Sequence, residues 1–309
     1  MDKNSKIYVA GHTGLVGNGI FKQLKELGYN NIIVKNHSDL DLLDKTKVLD
    51  FFSEEQPEYV FLAAAKVGGI QANKNNPVEF LYLNLEIQNN VIMASFKNHV
   101  KKLMFLGSSC IYPKKSVQPM KEEYLLTGKL EETNEAYAVA KIAGLKLCEY
   151  FRNQYGCDFI SVMPTNIYGP NDNFDLETSH VIPGLIRRFH EAKINKKEKV
   201  EIWGSGKIRR EFMYIDDLAD TLIFLMNNYS EKEFINIGIG KDIEINELVE
   251  LIKNIVGYTG KIERDLSKPD GILRKTVDVS KLDSLGWKYK IELKEGLEKT
   301  YKWYLENKE

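Results

Sequence analysis

The chain has 309 residues, of which 43% are hydrophobic and 28% charged, and its 43 basic and 44 acidic side chains leave a net charge of -1. This composition is typical of a globular protein of one large or two modest domains, and the balanced charge argues against a nucleic-acid or membrane surface. The three cysteines show no CxxC spacing, the N-terminus lacks the apolar core of a signal peptide, and no apolar run could span a bilayer. We therefore predict reduced thiols and a cytoplasmic location.

Short apolar segments alternate with helical patterns over the first half of the chain. We predict strands at 6–10, 31–34, 59–65, 102–107 and 159–164, and helices at 18–27, 48–54, 78–97 and from about 137 to 154. This alternation predicts an α/β fold with a Rossmann-type, doubly wound parallel sheet. The later pattern is less regular, with helices indicated at 215–226, 245–256 and 293–306.

The change in pattern after residue 164 predicts two parts. We expect residues 1–165, together with about 212–240, to form the dinucleotide-binding domain. We expect residues 166–211 and 241–309 to form a smaller C-terminal α/β substrate domain, lying over the carboxyl ends of the strands, where ligands bind in such folds.

A glycine-rich loop follows the first predicted strand and opens the first predicted helix. Glycine at this position permits a tight turn and lets backbone N–H groups approach a pyrophosphate, which the helix N-terminus also attracts. A glycine triplet alone is more often an ordinary turn, but the strand–loop–helix context predicts dinucleotide binding. The expected contacts are Gly11, Thr13, Gly14, Leu15, Val16 and Gly17.

The end of the second predicted strand bears on the choice between NAD and NADP. An acidic residue there binds the ribose 2′-hydroxyl, whereas a basic residue suits a 2′-phosphate. Here Lys35 and His37 come first and Asp39 lies further along. We predict NADP, although both cations could equally be solvated loop residues.

Tyr137 and Lys141 lie four residues apart in a predicted helix, so both side chains project from one face. A neighbouring ammonium stabilises an ionised phenol and lowers its pKa from about 10 toward the neutral range. The pair therefore predicts a proton donor or acceptor that serves a carbonyl group. By itself the spacing is weak, since many helices carry it with a solvated lysine.

A serine–cysteine run, Ser108-Ser109-Cys110, ends the fourth predicted strand. With Tyr137, a serine hydroxyl can polarise a substrate carbonyl and stabilise the charge that develops on its oxygen, and we expect Ser109 to be this partner of Tyr137. Cys110 is a soft base whose pKa, about 8.5 when unperturbed, falls near positive charge. Taken alone, a free cysteine is more often a small buried apolar residue.

The glycine spacing and the Tyr–Lys pair are typical of extended short-chain dehydrogenase/reductases, and longer runs are more specific. Nearly end to end, the chain resembles the GDP-L-fucose synthase family, through AAAKVGGI at 63–70, GSSCIYP at 107–113, PTNIYGP at 164–170, SHVIP at 179–183 and SKPDG at 267–271. This resemblance implies an NADP-dependent oxidoreductase that epimerises GDP-4-keto-6-deoxymannose at C3 and C5 and reduces it at C4. It also implies a homodimer formed through the 78–97 helix and the Tyr137 helix.

The resemblance implies a role for each residue of the site. Tyr137 is expected to donate the proton in reduction, Lys141 to hold the nicotinamide ribose, and Ser108 and Ser109 to line the active site. Cys110 is expected to be the base of epimerisation. Its acid is expected to be His180. Further contacts to the cofactor are expected from Lys35, His37, Leu106, Gly107, Pro164, Asn166, Ile167 and His180. The sugar nucleotide is expected to contact Arg188, Trp203, Arg210 and Asp270.

The residue chemistry is consistent with these roles. A ketone at C4 acidifies the hydrogens on C3 and C5, and a thiol with an imidazole on opposite faces could remove and return a proton. Arginine suits bidentate diphosphate binding, although Arg188 and Arg210 could simply be surface charges. Five histidines without an HExxH spacing predict no metal.

Other functions stay open. A GDP-4-keto-heptose C4-reductase without epimerase activity is the nearest alternative, and retention of Cys110 and His180 favours the bifunctional enzyme. A dinucleotide-sensing regulator could lose the catalytic Tyr and Lys, which this chain keeps. A 4,6-dehydratase needs acidic residues near Ser108–Cys110, and a simple 4-epimerase needs no thiol–imidazole pair. Where the family commonly has arginines that grip the 2′-phosphate, this chain has Thr13 and His37, so we expect a modest preference for NADPH over NADH.

Overall fold

The computed structural model of the protein describes residues 1–267 and 271–308. Its first part alternates strands and helices, as the sequence predicts. The elements in chain order are β1 (Ile7–Ala10), α1 (Leu15–Glu26), β2 (Ile32–Ile33), α2 (Lys45–Glu55), β3 (Tyr59–Leu62), α3 (Ile70–Asn75), α4 (Pro77–Lys97), β4 (Lys102–Leu106), α5 (Glu135–Tyr155) and β5 (Phe159–Pro164).

The second part is a less regular mixture of short strands and helices. Its elements are β6 (Asn166–Tyr168), α6 (Val181–Ile194), β7 (Lys199–Trp203), β8 (Arg209–Tyr214), α7 (Ile215–Asn228), β9 (Ile235–Ile237), β10 (Asp242–Glu244), α8 (Ile245–Val256), β11 (Lys261–Asp265), β12 (Arg274–Lys275), α9 (Ser280–Ser284) and α10 (Leu293–Asn307).

A parallel sheet with the strand order β2-β1-β3-β4-β5-β9 forms the centre of the molecule. Alternate side chains of β1 point to opposite faces: Ile7 and Val9 enter the core with α1 and α7, whereas Tyr8 and Ala10 enter the core with α2, α4 and α5. The doubly wound α/β fold is therefore confirmed. Strand β2 lies on one side of β1 and β3 on the other, so the direction of the strand order reverses beside β1. In such folds, ligands bind at the carboxyl ends of the strands at this reversal, which is called the switch point.

Two smaller sheets lie beyond the carboxyl end of β5. Strand β8 pairs with β10, with β12 and with β6, while β7 pairs with β11. The connection from the central sheet is short, since β6 starts two residues after β5 ends and the Thr165 N–H donates to the Ile237 carbonyl over 2.9 Å. The small sheet around β8 is thereby held next to the carboxyl ends of β5 and β9.

Helix α6 was not predicted, and its first residues explain why. It opens with Val181-Ile182-Pro183-Gly184, and β-branched residues, proline and glycine are poor helix formers by local propensity. Its buried face, with Ile182, Leu185, Ile186 and Phe189, packs into the core and overrides that propensity.

Candidate active site

The glycine loop has the shape of a pyrophosphate cradle. Gly11 has a φ of +87°, and a Cβ there would lie 2.7 Å from the Ala64 nitrogen, across the switch point. A Cβ on Gly17 would lie 2.1 Å from the Gly11 carbonyl oxygen. Gly14 caps α1 without a side chain, and a Cβ there would still be 3.6 Å from the Gly11 oxygen. Open backbone N–H groups at this helix N-terminus fit a phosphate, with Thr13, Leu15 and Val16 beside them.

Lys35 and His37 differ in how they are placed. Lys35 is half-buried, with its Nζ 5.7 Å from the centroid of the Phe51 ring on α2. His37 is exposed, and its Nδ1 lies 3.8 Å from an Asp41 carboxylate oxygen. Lys35 is therefore the better-fixed cation for a 2′-phosphate, while His37 is already turned toward an acid of its own loop.

Tyr137 and Lys141 share one face of α5, as predicted, but the lysine does not lower the pKa of the phenol. Burial raises the pKa of Tyr137 above 10, the nearby Cys110 adds to this, and a hydrogen bond with Ser108 opposes it. The Lys141 Nζ donates to the Leu106 carbonyl over 2.9 Å and lies 5.7 Å from the Tyr137 ring centroid. Burial lowers the pKa of Lys141 to about 8. The expectation of a lowered Tyr137 pKa was therefore wrong for this arrangement, because desolvation outweighs the more distant ammonium.

The two serines differ in their surroundings. Ser108 is hydrogen-bonded to Tyr137, and its Oγ accepts from the Cys110 N–H over 3.2 Å. Ser109 is only 3% exposed and lines a narrow cavity together with Cys110. The expected pairing of Ser109 with Tyr137 is therefore not found, because it is Ser108 that interacts with the phenol.

Cys110 sits among donors that the sequence did not reveal. The Lys275 Nζ lies 3.3 Å from its sulfur, and the Asn134 Nδ2 lies 3.2 Å from it. Burial alone would raise the pKa of the thiol, but Lys275, Ser108 and Arg210 outweigh it and lower the pKa below its usual value. A lowered pKa gives more thiolate, the form that acts as a base. Lys275 and Asn134 belong to no motif, so only the fold identifies them.

His180 stands at the N-cap of α6, and a contact between loops fixes its position. The Gly69 N–H donates to the Thr178 carbonyl over 3.0 Å. A Cβ on Gly69 would lie 2.7 Å from the Ser179 carbonyl oxygen. Although solvent reaches the ring, surrounding protein atoms and Lys275 lower the pKa of His180. A lower pKa makes the protonated ring a stronger acid but leaves less of it at neutral pH. Lys275 acts electrostatically on both His180 and Cys110, so both groups lie in the field of its ammonium.

The other residues expected at the cofactor lie at the carboxyl ends of β4 and β5. Leu106 ends β4 and accepts the Lys141 hydrogen bond, and a Cβ on Gly107 would lie 2.2 Å from the Met163 side chain. Pro164 ends β5. Asn166 and Ile167 begin β6, and the Asn166 Nδ2 donates to the Glu211 carbonyl over 2.7 Å. The structure therefore brings these residues to the edge of the sheet where Tyr137 and Lys141 lie.

The residues expected at the sugar nucleotide fall into two groups. Arg188 on α6 donates to the Glu201 carbonyl of β7 over 3.2 Å, and Trp203, two residues further on β7, is 54% exposed. Arg210 on β8 acts electrostatically on Cys110 and so belongs to the catalytic end. Asp270 lies outside the described residues.

A carboxylate also lines the cavity beside Cys110, although the run Ser108–Cys110 itself contains no acidic residue. Glu131 lines this cavity and lies 3.1 Å from the Lys114 ammonium. Within residues 1–267 and 271–308, no three His, Cys, Asp or Glu side chains are close enough to hold a metal ion. In the same part of the chain, no helix is long and apolar enough to cross a membrane.

A known protein family matches the chain that carries this phosphate cradle, Tyr–Lys pair and parallel sheet. A model of the NAD dependent epimerase/dehydratase family matches residues 7–238, and the chain belongs to that family.

Particular relatives extend the match beyond the family. The chain is 56% identical to GDP-L-fucose synthase 1 of Arabidopsis thaliana over 306 residues, covering 99% of this chain and 95% of the relative. The predicted family resemblance is thereby confirmed. Among solved structures, a GDP-6-OMe-4-keto-L-xylo-heptose reductase from C. jejuni is similar, with a TM-score of 0.95, 43% identity and 99% of each chain covered. A GDP-L-fucose synthetase from Naegleria fowleri bound to NADP is similar too, with a TM-score of 0.92, 31% identity and coverage of 99% and 96%.

Proposed function

We propose that the protein converts GDP-4-keto-6-deoxy-D-mannose to GDP-L-fucose, by epimerisation at C3 and C5 followed by NADPH-dependent reduction at C4. One observation carries this proposal. Cys110, with a lysine 3.3 Å from its sulfur, follows directly on the serines beside the phenol of Tyr137. A base for carbon acids and a proton donor for a carbonyl therefore share one site. The 56% identity to a GDP-L-fucose synthase supports the same function.

Epimerisation is assigned to Cys110 and His180. The thiolate of Cys110, favoured by Lys275 and Arg210, removes a proton from the carbon next to the ketone. The negative charge then moves onto the C4 oxygen, where the hydroxyls of Ser108 and Tyr137 donate hydrogen bonds. His180 is assigned the return of a proton to the opposite face of the carbon, which inverts the centre.

Reduction is assigned to Tyr137 with Lys141. NADPH, when bound, supplies the hydride for C4. Tyr137 gives its proton to the C4 oxygen, and a raised pKa keeps that proton on the phenol until charge develops on the substrate oxygen. The Lys141 ammonium, held by the Leu106 carbonyl, is placed to bind the ribose hydroxyls and to stabilise the phenolate that forms.

The residues at the cofactor and substrate are proposed from their places in the fold. The glycine loop binds the pyrophosphate, Lys35 and His37 the 2′-phosphate, and the ends of β4 and β5 the nicotinamide side. Arg188 and Trp203 lie at β7, and Arg210 lies at the catalytic end of the site. The GDP part of the substrate can extend from that end toward β7. Residues 1–165 with 212–240 then act on the cofactor, and residues 166–211 with 241–309 on the sugar nucleotide.

A cytoplasmic homodimer is the proposed working state. Helices α4 and α5 pack side by side and leave Tyr82, Val139 and Tyr150 exposed at 57%, 42% and 58%. Exposed apolar side chains on neighbouring helices are a common feature of subunit interfaces. A four-helix contact of α4 and α5 with their copies is the arrangement proposed.

The reductase of a GDP-4-keto-heptose ranks second. Its solved relative superposes with a TM-score of 0.95, but at 43% identity it is more distant in sequence than the fucose synthase at 56%. Retention of both Cys110 and His180 also favours an enzyme that epimerises.

Product identification tests the proposal. Purified protein is incubated with GDP-4-keto-6-deoxymannose and NADPH, and the product is identified by NMR; a parallel reaction contains a GDP-4-keto-heptose. GDP-L-fucose from the first reaction, formed with a higher kcat/KM than the heptose product, is the expected result. Turnover of the heptose alone, or a C4-reduced product with unchanged C3 and C5, would contradict it.

A further inference from the structure

The cations around Cys110 come from a small sheet whose two faces have different chemistry. Strands β8 and β12 run parallel with Arg274 paired to Arg209 and Lys275 paired to Arg210. Side chains of paired residues share a face, and successive residues point to opposite faces. Lys275 and Arg210 therefore lie on one face, and Arg209 and Arg274 on the other.

The face with Lys275 and Arg210 is the one turned to Cys110. Lys275 Nζ is 3.3 Å from the sulfur, and Arg210 is the second cation that acts on the thiol. On the opposite face, Asp242 of β10 is paired with Glu211 of β8. Glu211 lies two residues from Arg209 and therefore on the same face, so Asp242 lies beside Arg209. The same sheet thus presents two cations to the thiol from its front and carries the buried carboxylates of Glu211 and Asp242 at its back.

Asp242 joins the strands at the back through three hydrogen bonds. Its side chain is only 4% exposed. One oxygen accepts from the Arg209 Nε over 2.5 Å, and the other accepts from the Arg274 Nε over 2.5 Å and from the Thr276 hydroxyl over 2.6 Å. The bonded residues are the immediate chain neighbours of the two cations, since Arg209 precedes Arg210 and Arg274 and Thr276 flank Lys275.

We propose that Asp242 is a positioning residue for the Cys110 base, which it serves by fixing β8 and β12 from behind so that Arg210 and Lys275 face the sulfur. This inference rests on the proposed role of Cys110 in epimerisation. The carboxylate does not touch the thiol, and it acts through the backbone of the two strands. A buried acid with two guanidinium partners and a hydroxyl is well satisfied in this place, and loss of its charge leaves those partners without their common acceptor.

Loss of the Asp242 carboxylate is expected to weaken the field at the thiol. Charge attraction falls with distance, so even a small drift of the Lys275 ammonium lets the effect of burial dominate. The groups that act on Cys110 or lie beside it come from several elements. Lys275 comes from β12, Arg210 from β8, Tyr137 from α5, Asn134 from the turn before α5, Ser108 from the end of β4 and Glu131 from the lining of the cavity. His180 at the start of α6 lies in the field of the same Lys275 ammonium. Of these, Lys275 and Arg210 are the cations whose strands Asp242 ties together.

The test measures the reactivity of Cys110 itself. Alkylation by iodoacetamide is followed across pH, with the Cys110 peptide quantified by mass spectrometry, in the wild type, Asp242→Asn, Thr276→Val and Thr276→Ser. In Asp242→Asn we expect the midpoint to move to higher pH and the rate at pH 7 to fall roughly threefold to tenfold. Thr276→Val, which removes one of the three bonds, should shift in the same direction by less, and Thr276→Ser should match the wild type.

A matched control separates this effect from the loss of any ion pair. Asp283→Asn breaks an exposed pair with Lys288, whose Nζ lies 2.7 Å from the Asp283 carboxylate, and should leave the Cys110 profile unchanged. A folded Asp242→Asn protein with the wild-type profile overturns the proposal. If Asp242→Asn does not fold, the Thr276 pair decides, and identical profiles for Val and Ser overturn it. Because no sugar nucleotide enters the assay, a shifted profile in a protein that makes no GDP-L-fucose would refute the proposed function and leave the role of Asp242 intact.

Discussion

The reducing and epimerising parts of the site are built in different ways. The reducing part uses short-range order: three glycines in one loop and a Tyr–Lys pair on one turn of α5. The epimerising part joins side chains far apart in the chain, since Cys110 and Lys275 are separated by 165 positions and meet through the register of β12 on β8. The first part leaves a spacing signal in the sequence, whereas the lysine beside Cys110 becomes visible only when the strands are paired.

The two parts also differ in electrostatics. Around Tyr137 and Lys141, burial dominates, raising the pKa of the phenol and lowering that of the ammonium to about 8. Around Cys110, cations outweigh burial and lower the pKa of the thiol. In the proposed mechanism, the phenol therefore holds its proton until charge develops on the substrate, whereas the thiol loses its proton more readily beforehand. If the parts are distinct, single substitutions should disable them separately.

Tyr137→Phe should have the largest effect on reduction. Removal of the phenolic proton donor is expected to lower the rate of NADPH oxidation by roughly a hundredfold to ten thousandfold. Exchange of solvent deuterium into the 4-keto sugar should fall too, because the phenol is one of two donors to the enolate oxygen, but it should fall much less than reduction because Ser108, Cys110 and His180 remain. NADPH absorbance and NMR of the recovered sugar measure the two rates. An equal loss of both would show that the parts cannot be separated.

Cys110→Ser should produce the opposite pattern. Because a serine hydroxyl is a much weaker acid than a thiol, exchange at C3 and C5 should fall by roughly a hundredfold or more, while NADPH oxidation continues. Cys157→Ser, at a half-buried thiol outside the site, is the matched control and should change neither rate. Undiminished exchange in Cys110→Ser would remove the thiol from the mechanism.

Lys275→Met should shift the pH dependence of exchange. Lys275 lowers the pKa of Cys110, so the thiolate is present to lower pH in the wild type than it would be without the lysine. With Lys275 removed, the pKa rises and the acid limb of the exchange profile moves to higher pH. At a fixed pH on that limb, the exchange rate should fall about tenfold if the pKa of the thiol rises by about one, and it should recover at alkaline pH.

The control for that change is Lys288→Met, which removes an exposed lysine elsewhere. Its exchange profile should superimpose on that of the wild type. A Lys275→Met profile that keeps its midpoint and only drops in height would mean that Lys275 supports the fold or binds substrate and does not tune the thiol.

Lys35→Ala should have the smallest effect. A partly exposed cation contributes about 1 kcal/mol to a phosphate contact, so kcat/KM for NADPH should fall about fivefold while that for NADH stays constant. His37→Ala, whose ring faces Asp41, should do less. The wild type should prefer NADPH by a modest margin, and equal kcat/KM for both cofactors would contradict the assignment of the 2′-phosphate to this loop.

The central sheet and the glycine loop could be predicted because their signals are local. The strand at 159–164 and the helix at 245–256 coincide with β5 and α8. Buried parallel strands read as short apolar runs, and glycine is required at position 17 because a Cβ there would lie only 2.1 Å from the Gly11 carbonyl oxygen. The prediction for β2 was less accurate at its end, since only Ile32 and Ile33 pair with β1.

Other parts of the molecule could not be predicted, for physical reasons. The strands β7, β8, β11 and β12 depend on partners far away in the chain. The pKa of Tyr137 was predicted in the wrong direction because spacing on a helix reveals a neighbouring charge but not the depth of burial. The choice between Ser108 and Ser109 likewise depends on which hydroxyl the turn after β4 points to Tyr137.

The central claim is that one site both inverts C3 and C5 and reduces C4, and labelling in deuterated water tests it most directly. The wild-type protein is incubated in deuterated water with GDP-4-keto-6-deoxymannose and unlabelled NADPH, and the product is examined by NMR. We expect deuterium at C3 and at C5 and protium at C4, in GDP-L-fucose. A product reduced at C4 with protium at both C3 and C5 would contradict the account, because it would show that the thiol and the imidazole take no part.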